Sequence, residues 1–207
     1  NDDTSSLGDW SLDRSKYPDG LEPVIDHVNQ QGMEFGLWFE PEMVNPDSDL
    51  YRRHPDWVLR LESQPPLTSR HQLVLDMSRS DVQEYLFSCI DDLLTALPIR
   101  YIKWDHNRDL TQAGSAGRPA YRQQILATYQ LIDRIVAAHP DVEIEACAGG
   151  GGRIDAGILS RTHRVWTSDC IDAVSRQTIQ TGFLGFFPPE VMGSHIGASP
   201  AHSTGRS

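Results

Sequence analysis

Positive charge and cysteine are both scarce in this sequence, and no long apolar run occurs in it. The 18 Lys and Arg side chains are outnumbered by 29 Asp and Glu, a formal net charge of −11 over 207 residues. Nucleic acid and anionic membrane surfaces call for a basic face, so neither is expected as a partner. No apolar stretch approaches the ~20 residues that cross a bilayer, and no basic-then-apolar start marks a signal peptide. Cys89, Cys147 and Cys170 form an odd set without CxxC spacing. That argues against a zinc site and against a disulfide framework; reduced thiols point to the cytoplasm. Repeats, low-complexity tracts and domain linkers are also lacking. The chain opens at Asn1 rather than Met, so the expectation is that its true N-terminus lies upstream.

What is present is alternation. Apolar residues at helical spacing predict helices over Leu21–Gln31, Asp81–Leu97, Tyr121–His139 and Ile171–Leu184, with a short one over Arg153–Ser160. Ser78 reads as the N-cap of the second, and Gly32 closes the first. Ile125, Tyr129, Ile132 and Val136 form the inward stripe of the third. Strand-like runs lie between them: Met33–Phe39, the run from Tyr101, Val142–Ala148, Val165–Asp169 and a last short one over Val191–Ile196. Residues 44–69 form a long connection, which two apolar clusters, Trp57–Leu61 and Leu73–Leu75, mark as ordered.

The chemistry concentrates in Tyr101-Ile102-Lys103-Trp104-Asp105-His106-Asn107-Arg108. Lys103 and Asp105 stand two residues apart, so on a strand they face the same side. Burying both is costly unless they serve each other or a ligand. The bland alternative is a structural ion pair. Other strands end in similar clusters: Trp38 with Glu40-Pro41-Glu42, Cys147 with four glycines from Gly149, and Asp169. The four glycines lack the Gly-Lys-Ser/Thr of a phosphate loop, so close backbone approach to some ligand is the stronger reading. Core packing for Trp38, surface charge for Glu42 and a solvated guanidinium for Arg70 remain open. So does a solvated pair for Asp2-Asp3.

Polar clusters after strand upon strand favour an α/β barrel over a doubly wound sheet, whose site sits at a single switch point. Only five units are visible where a closed barrel takes about 250 residues. The expectation is therefore a partial TIM (β/α)8 barrel spanning 1–207, lacking its first two strands and its last. Asp105 and Asp169 suit retaining glycoside hydrolysis, in which one carboxylate is the nucleophile and the other the proton donor. Lys103, on the same face, is expected to keep Asp105 ionised. No metal or organic cofactor is called for.

Several blocks together resemble glycoside hydrolase family 36, the retaining α-galactosidases: Leu7-Gly8-Asp9-Trp10, Leu37 to Met43, Gln72 to Asp76, Lys103 to Arg108, Cys147 to Arg153, and Thr167-Ser168-Asp169. The resemblance implies Asp105 as nucleophile and Asp169 as acid/base, two roles that call for an Asp105 depressed by Lys103 and an Asp169 raised by burial. Trp38 would line the pocket; Arg70, Lys103 and Asn107 would hold ring hydroxyls; Cys147 and Gly150 would lie against the sugar. It further implies α-galactoside substrates, a homo-oligomeric full-length protein, and strands numbered roughly 3 to 7 of the barrel. An N-terminal β-sandwich and a C-terminal β-domain would flank the barrel and are absent here. The family's Asp-Asp-Gly-Trp block would fall before Asn1, so Asp2-Asp3 is not assigned to the sugar. Leu73–Asp76 becomes an inserted extended segment. Three positions depart from the usual pattern: Cys170 after the acid/base, Ala148-Gly149, and the Gly193–Gly197 block. Galactosyl transfer to a sugar acceptor and a catalytically inactive sugar-binding relative are the alternative readings.

Overall fold

A computed structural model describes residues 4–201 and 204–205; the Asp2-Asp3 pair lies outside the described residues. Its centre is a parallel sheet of five strands: β1 (Phe35–Phe39), β2 (Ile99–Trp104), β3 (Glu143–Ala146), β4 (Arg164–Trp166) and β5 (Met192–Gly193). Spatial order equals chain order, without a reversal. Each crossover carries a helix or helical turn. The longer helices are α1 (Glu22–Gln30), α2 (Ser80–Ala96), α3 (Tyr121–Ala138) and α4 (Ala173–Leu184).

Local sequence explains most boundaries. Gly32 follows α1 at φ +72 and donates its N–H to the Asn29 carbonyl, a left-handed stop. Asp172 caps α4 by accepting from Ser175 N–H at 2.8 Å. Ser78 does not cap α2 as expected: its hydroxyl donates to Asp76 at 2.6 Å, and the helix starts two residues later. The last strand is also shorter than expected, and Ile196 is fully exposed beyond it.

Strand register sorts the side chains into two faces. In one row Phe39, Trp104, Ala146 and Val165 are paired partners, and all are buried. They meet Val82, Leu86 and Ile90 of α2 and Leu131, Ile132 and Ile135 of α3 in a single core. Ile125, expected in the α3 stripe, instead lies exposed beside a cleft. The neighbouring row pairs Trp38 with Lys103 and Lys103 with Glu145. Strand alternation sends this row to the opposite face of the sheet.

The long connection is ordered, as its apolar clusters predict. Met43–Val44 pairs antiparallel with Leu73–Val74 outside the main sheet, so Leu73–Asp76 is indeed an extended insert. Trp57, Val58, Leu59 and Leu75 are buried beneath it. Among the described residues, no helix is long and apolar enough to cross a membrane.

Candidate active site

Asp105 stands just past the C-terminal end of β2, where its N–H donates to the Phe39 carbonyl at 2.8 Å. The carboxylate is buried and surrounded by donors. Its Oδ2 accepts from Trp38 Nε1 at 2.9 Å and from Asn107 Nδ2 at 2.7 Å, and its Oδ1 accepts from His106 N–H at 2.9 Å. Burial pushes the carboxyl up, but the Trp38, Cys147, Asn107 and His106 donors outweigh it and hold it below the usual range. Cys147 is the reciprocal partner. Burial and the Asp105 charge push its thiol up to about 12, so it remains a neutral donor.

The expectation for Lys103 needs correcting. Its ammonium lies 3.9 Å from Glu145 and 4.1 Å from the centre of the Trp166 ring. Hydrogen-bond donors, rather than this cation, keep Asp105 ionised. The register explains the difference: Lys103 and Glu145 are direct partners across β2 and β3, which places the buried carboxylate of Glu145 beside the lysine.

Asp169 follows β4 by three residues and accepts from Trp166 Nε1 at 2.9 Å. It is exposed, so the expected burial is not found. The loop carrying it is fixed from behind by Arg176, a buried guanidinium on α4. Arg176 donates to the carbonyls of Ser168 and Cys170, both at 3.0 Å, and to Thr167 Oγ1 at 3.2 Å. Cys170 therefore contributes a backbone carbonyl to the loop's anchor.

The glycine run packs closely on the backbone of the Asp169 loop. Gly150 is buried at φ +84, and a Cβ there would stand 3.0 Å from Ser168 Cα and 3.3 Å from the Asp169 nitrogen. At Gly151 a Cβ would stand 2.8 Å from the Thr167 carbonyl oxygen. Within the chain, this close approach is to the protein's own Asp169 loop. Asn107 links the run to the central strand, accepting from Gly149 N–H at 3.2 Å while it donates to Asp105.

Two clefts are lined by neighbours of Asp105, neither by the aspartate itself. One, of about 550 Å³, is lined by Arg70, His106, Asn107, Gly149 and Arg153 among others. The second, of about 480 Å³, is lined by Trp10, Tyr17 and Trp38. Trp38 is 43 % exposed, which removes the core-packing reading. Arg70 is exposed at φ +53; burial holds the nearby Glu40 carboxyl above its usual range, against Asn107 hydrogen bonds and a weaker pull from Arg70.

The two glutamates of the strand-end cluster, Glu40 and Glu42, lie beneath this site. Glu40 and Glu42 are each 1 % exposed, so Glu42 is no surface charge. Glu40 accepts from Asn107 N–H at 2.7 Å and from Gln72 Nε2 at 3.2 Å. Glu42 accepts from Trp104, Arg153 and Thr128. The available signal was Pro41 between them, which ends the strand and turns both inward. Among the described residues, no group of three or more His, Cys, Asp or Glu side chains is placed to hold a metal ion.

The family model described as Melibiase matches residues 1–207. The chain belongs to the Melibiase family. A Melibiase relative, the alpha-galactosidase of Escherichia coli, is 52 % identical over 206 residues, a match covering 100 % of this chain and 29 % of that protein. The bifunctional alpha-galactosidase/sucrose kinase AgaSK of Mediterraneibacter gnavus is 46 % identical, with 100 % of this chain and 22 % of that one covered. Among solved structures, a substituted form of the GH36 alpha-galactosidase AgaA from Geobacillus stearothermophilus, in complex with raffinose, superposes with a TM-score of 0.92 at 46 % identity. That match covers 100 % of this chain and 30 % of AgaA. The chain thus spans less than a third of the length of these relatives.

Proposed function

We propose that the chain forms the catalytic part of a retaining α-galactosidase that removes terminal α-galactosyl residues from melibiose- and raffinose-type sugars. The observation that carries this reading is the contrast between Asp105 and Asp169. One is buried and held ionised by four donors; the other is exposed on a braced loop with a single indole contact. A retaining reaction uses two carboxylates in different settings, one as nucleophile and one as acid/base. The raffinose bound to the relative AgaA supports the substrate class.

We read the sheet as strands 3 to 7 of a (β/α)8 barrel, on its unreversed parallel order and the polar side chains after each strand. The remaining barrel strands, an N-terminal β-sandwich and a C-terminal β-domain belong to the rest of a full-length, homo-oligomeric protein. The three unpaired thiols favour a reducing cytoplasm.

In the first step Asp169 gives its proton to the glycosidic oxygen while an Asp105 oxygen attacks the anomeric carbon. The C–O bond breaks, and the galactosyl group rests as an ester on Asp105. Water then gives a proton to Asp169, attacks the same carbon and releases galactose with its α configuration, freeing Asp105. Trp166 occupies Oδ1 of Asp169 and leaves Oδ2 to carry the acidic proton. Trp38 offers a flat apolar face to the sugar ring. Arg70, Lys103 and Asn107 bind its hydroxyls; Cys147 lies against it, and Gly150 shapes the loop behind it.

The test is the first anomer released from p-nitrophenyl α-galactoside by the full-length enzyme, followed by NMR. Initial α-galactose is expected. Initial β-galactose, or no release, would overturn the reading.

A further inference from the structure

Glu42 lies at the floor of the larger cleft, 1 % exposed, and its carboxylate is committed to protein partners. Its Oε1 accepts from Trp104 Nε1 at 3.0 Å and from Arg153 Nη1 at 2.8 Å. Its Oε2 accepts from Thr128 Oγ1 at 3.0 Å and lies 3.2 Å from His106 Nδ1. Burial of Glu42 pushes its carboxyl up, but Arg153, His106 and Trp104 more than offset this, and it stays ionised well below its ordinary range.

Those four partners come from four separate segments: the end of β2, the loop behind Asp105, helix α3 and the far end of the glycine run. Two contact paths lead away from the carboxylate. Through Trp104 and His106 it reaches both chain neighbours of Asp105, and the His106 N–H itself donates to that carboxylate. Through Arg153 it anchors the glycine run, which packs on the Asp169 loop without room for a Cβ at Gly150 or Gly151. The two aspartates share no direct hydrogen bond among the described residues, so their separation depends on such intermediates.

We infer that Glu42, with Arg153, is a positioning pair that sets the placement of the Asp169 loop relative to Asp105. This deepens the functional reading above and rests on it. A displaced acid/base harms proton donation first, and misplacement on the ångström scale can cost about 100-fold in rate. Substrates differ in how much they need that proton. A poor leaving group such as the glucose of melibiose requires it, whereas p-nitrophenolate leaves with little help.

The experiment measures kcat/KM of the full-length enzyme on melibiose and on p-nitrophenyl α-galactoside for wild type, Glu42→Gln, Arg153→Lys and Asp169→Asn. Glu42→Gln keeps the shape and places a neutral amide opposite Arg153. Because the readout is a ratio of two substrates on one preparation, it does not depend on the folded fraction. Both pair variants are expected to lose about 10-fold or more on melibiose relative to the aryl substrate, in the direction set by Asp169→Asn. Arg153→Lys tests the pair from its other side should Glu42→Gln yield no soluble enzyme. Equal losses on both substrates in the pair variants, with Asp169→Asn still selective, would overturn the positioning role. An Asp169→Asn variant that fails to spare the aryl substrate would instead overturn the acid/base reading.

Discussion

Trp38 donates its indole N–H to Oδ2 of Asp105 at 2.9 Å, from the strand next to the one that carries the aspartate. The same oxygen takes the Asn107 amide at 2.7 Å. A hydrogen bond to a charged group contributes about 1.5–3 kcal/mol, so this pairing favours the ionised form. Trp38→Phe keeps a flat face for the sugar and removes the donor. Because the donor lowers the Asp105 pKa, its loss should raise it. The acidic limb of kcat/KM against pH should therefore shift to higher pH, and activity at neutral pH should fall by about 10-fold or more. An unmoved acidic limb would show that the indole does not tune the carboxylate.

Gly150 sits at φ +84 against Ser168 and the nitrogen of Asp169. Gly150→Ala meets both a disfavoured backbone conformation and a contact too short for carbon. Strain of this kind costs about 1–3 kcal/mol, released either by unfolding or by pushing the Asp169 loop away. The expected outcome in the full-length enzyme is a lower Tm together with reduced turnover of melibiose. A variant with wild-type Tm and turnover would mean that the loop yields freely.

Much of this site was legible in the sequence, and the exceptions have a common cause. The Lys103-to-Asn107 run, the glycines after Cys147 and Asp169 all announced themselves by placing polar residues at strand ends. What remained hidden depends on register between distant strands. Glu145 reads as an ordinary strand glutamate until β3 is laid beside β2 and places it opposite Lys103. Glu42 reads equally as a site carboxylate or a surface charge until the turn at Pro41 carries it under Trp104. Arg176 looks like any helical arginine until its helix packs behind Ser168 and Cys170. The predicted burial of Asp169 failed because its loop lies on the exposed rim, a matter of tertiary placement rather than local pattern.

Cys147 offers a check on the electrostatics that leaves the sugar chemistry aside. Burial and the neighbouring Asp105 charge push its thiol up to about 12, and the thiolate is the form that alkylating agents attack. An acid with a raised pKa stays protonated across the working range. In the folded full-length enzyme Cys147 should therefore resist iodoacetamide from pH 7 to 9 and react after denaturation. Peptide mass spectrometry of the carbamidomethylated protein reads both states. Rapid labelling at pH 7 without unfolding would contradict the paired, neutral thiol.

The last prediction concerns the 207-residue chain in isolation. Its five-stranded sheet ends in β1 on one side and β5 on the other, each with an unpaired edge among the described residues. Parallel sheets are normally covered on both faces, yet Trp38 on the open row is 43 % exposed. Phe186, at 86 % exposure, adds apolar surface near the β5 side. Open edges pair with other chains, and exposed apolar faces associate. The isolated chain should therefore aggregate or melt without a cooperative transition, whereas the full-length protein should melt cooperatively. Circular dichroism during heating, with light scattering in parallel, distinguishes the two. A sharp transition of a monomeric isolated chain would show that the core between the sheet, α2 and α3 suffices by itself, and that the open row tolerates water.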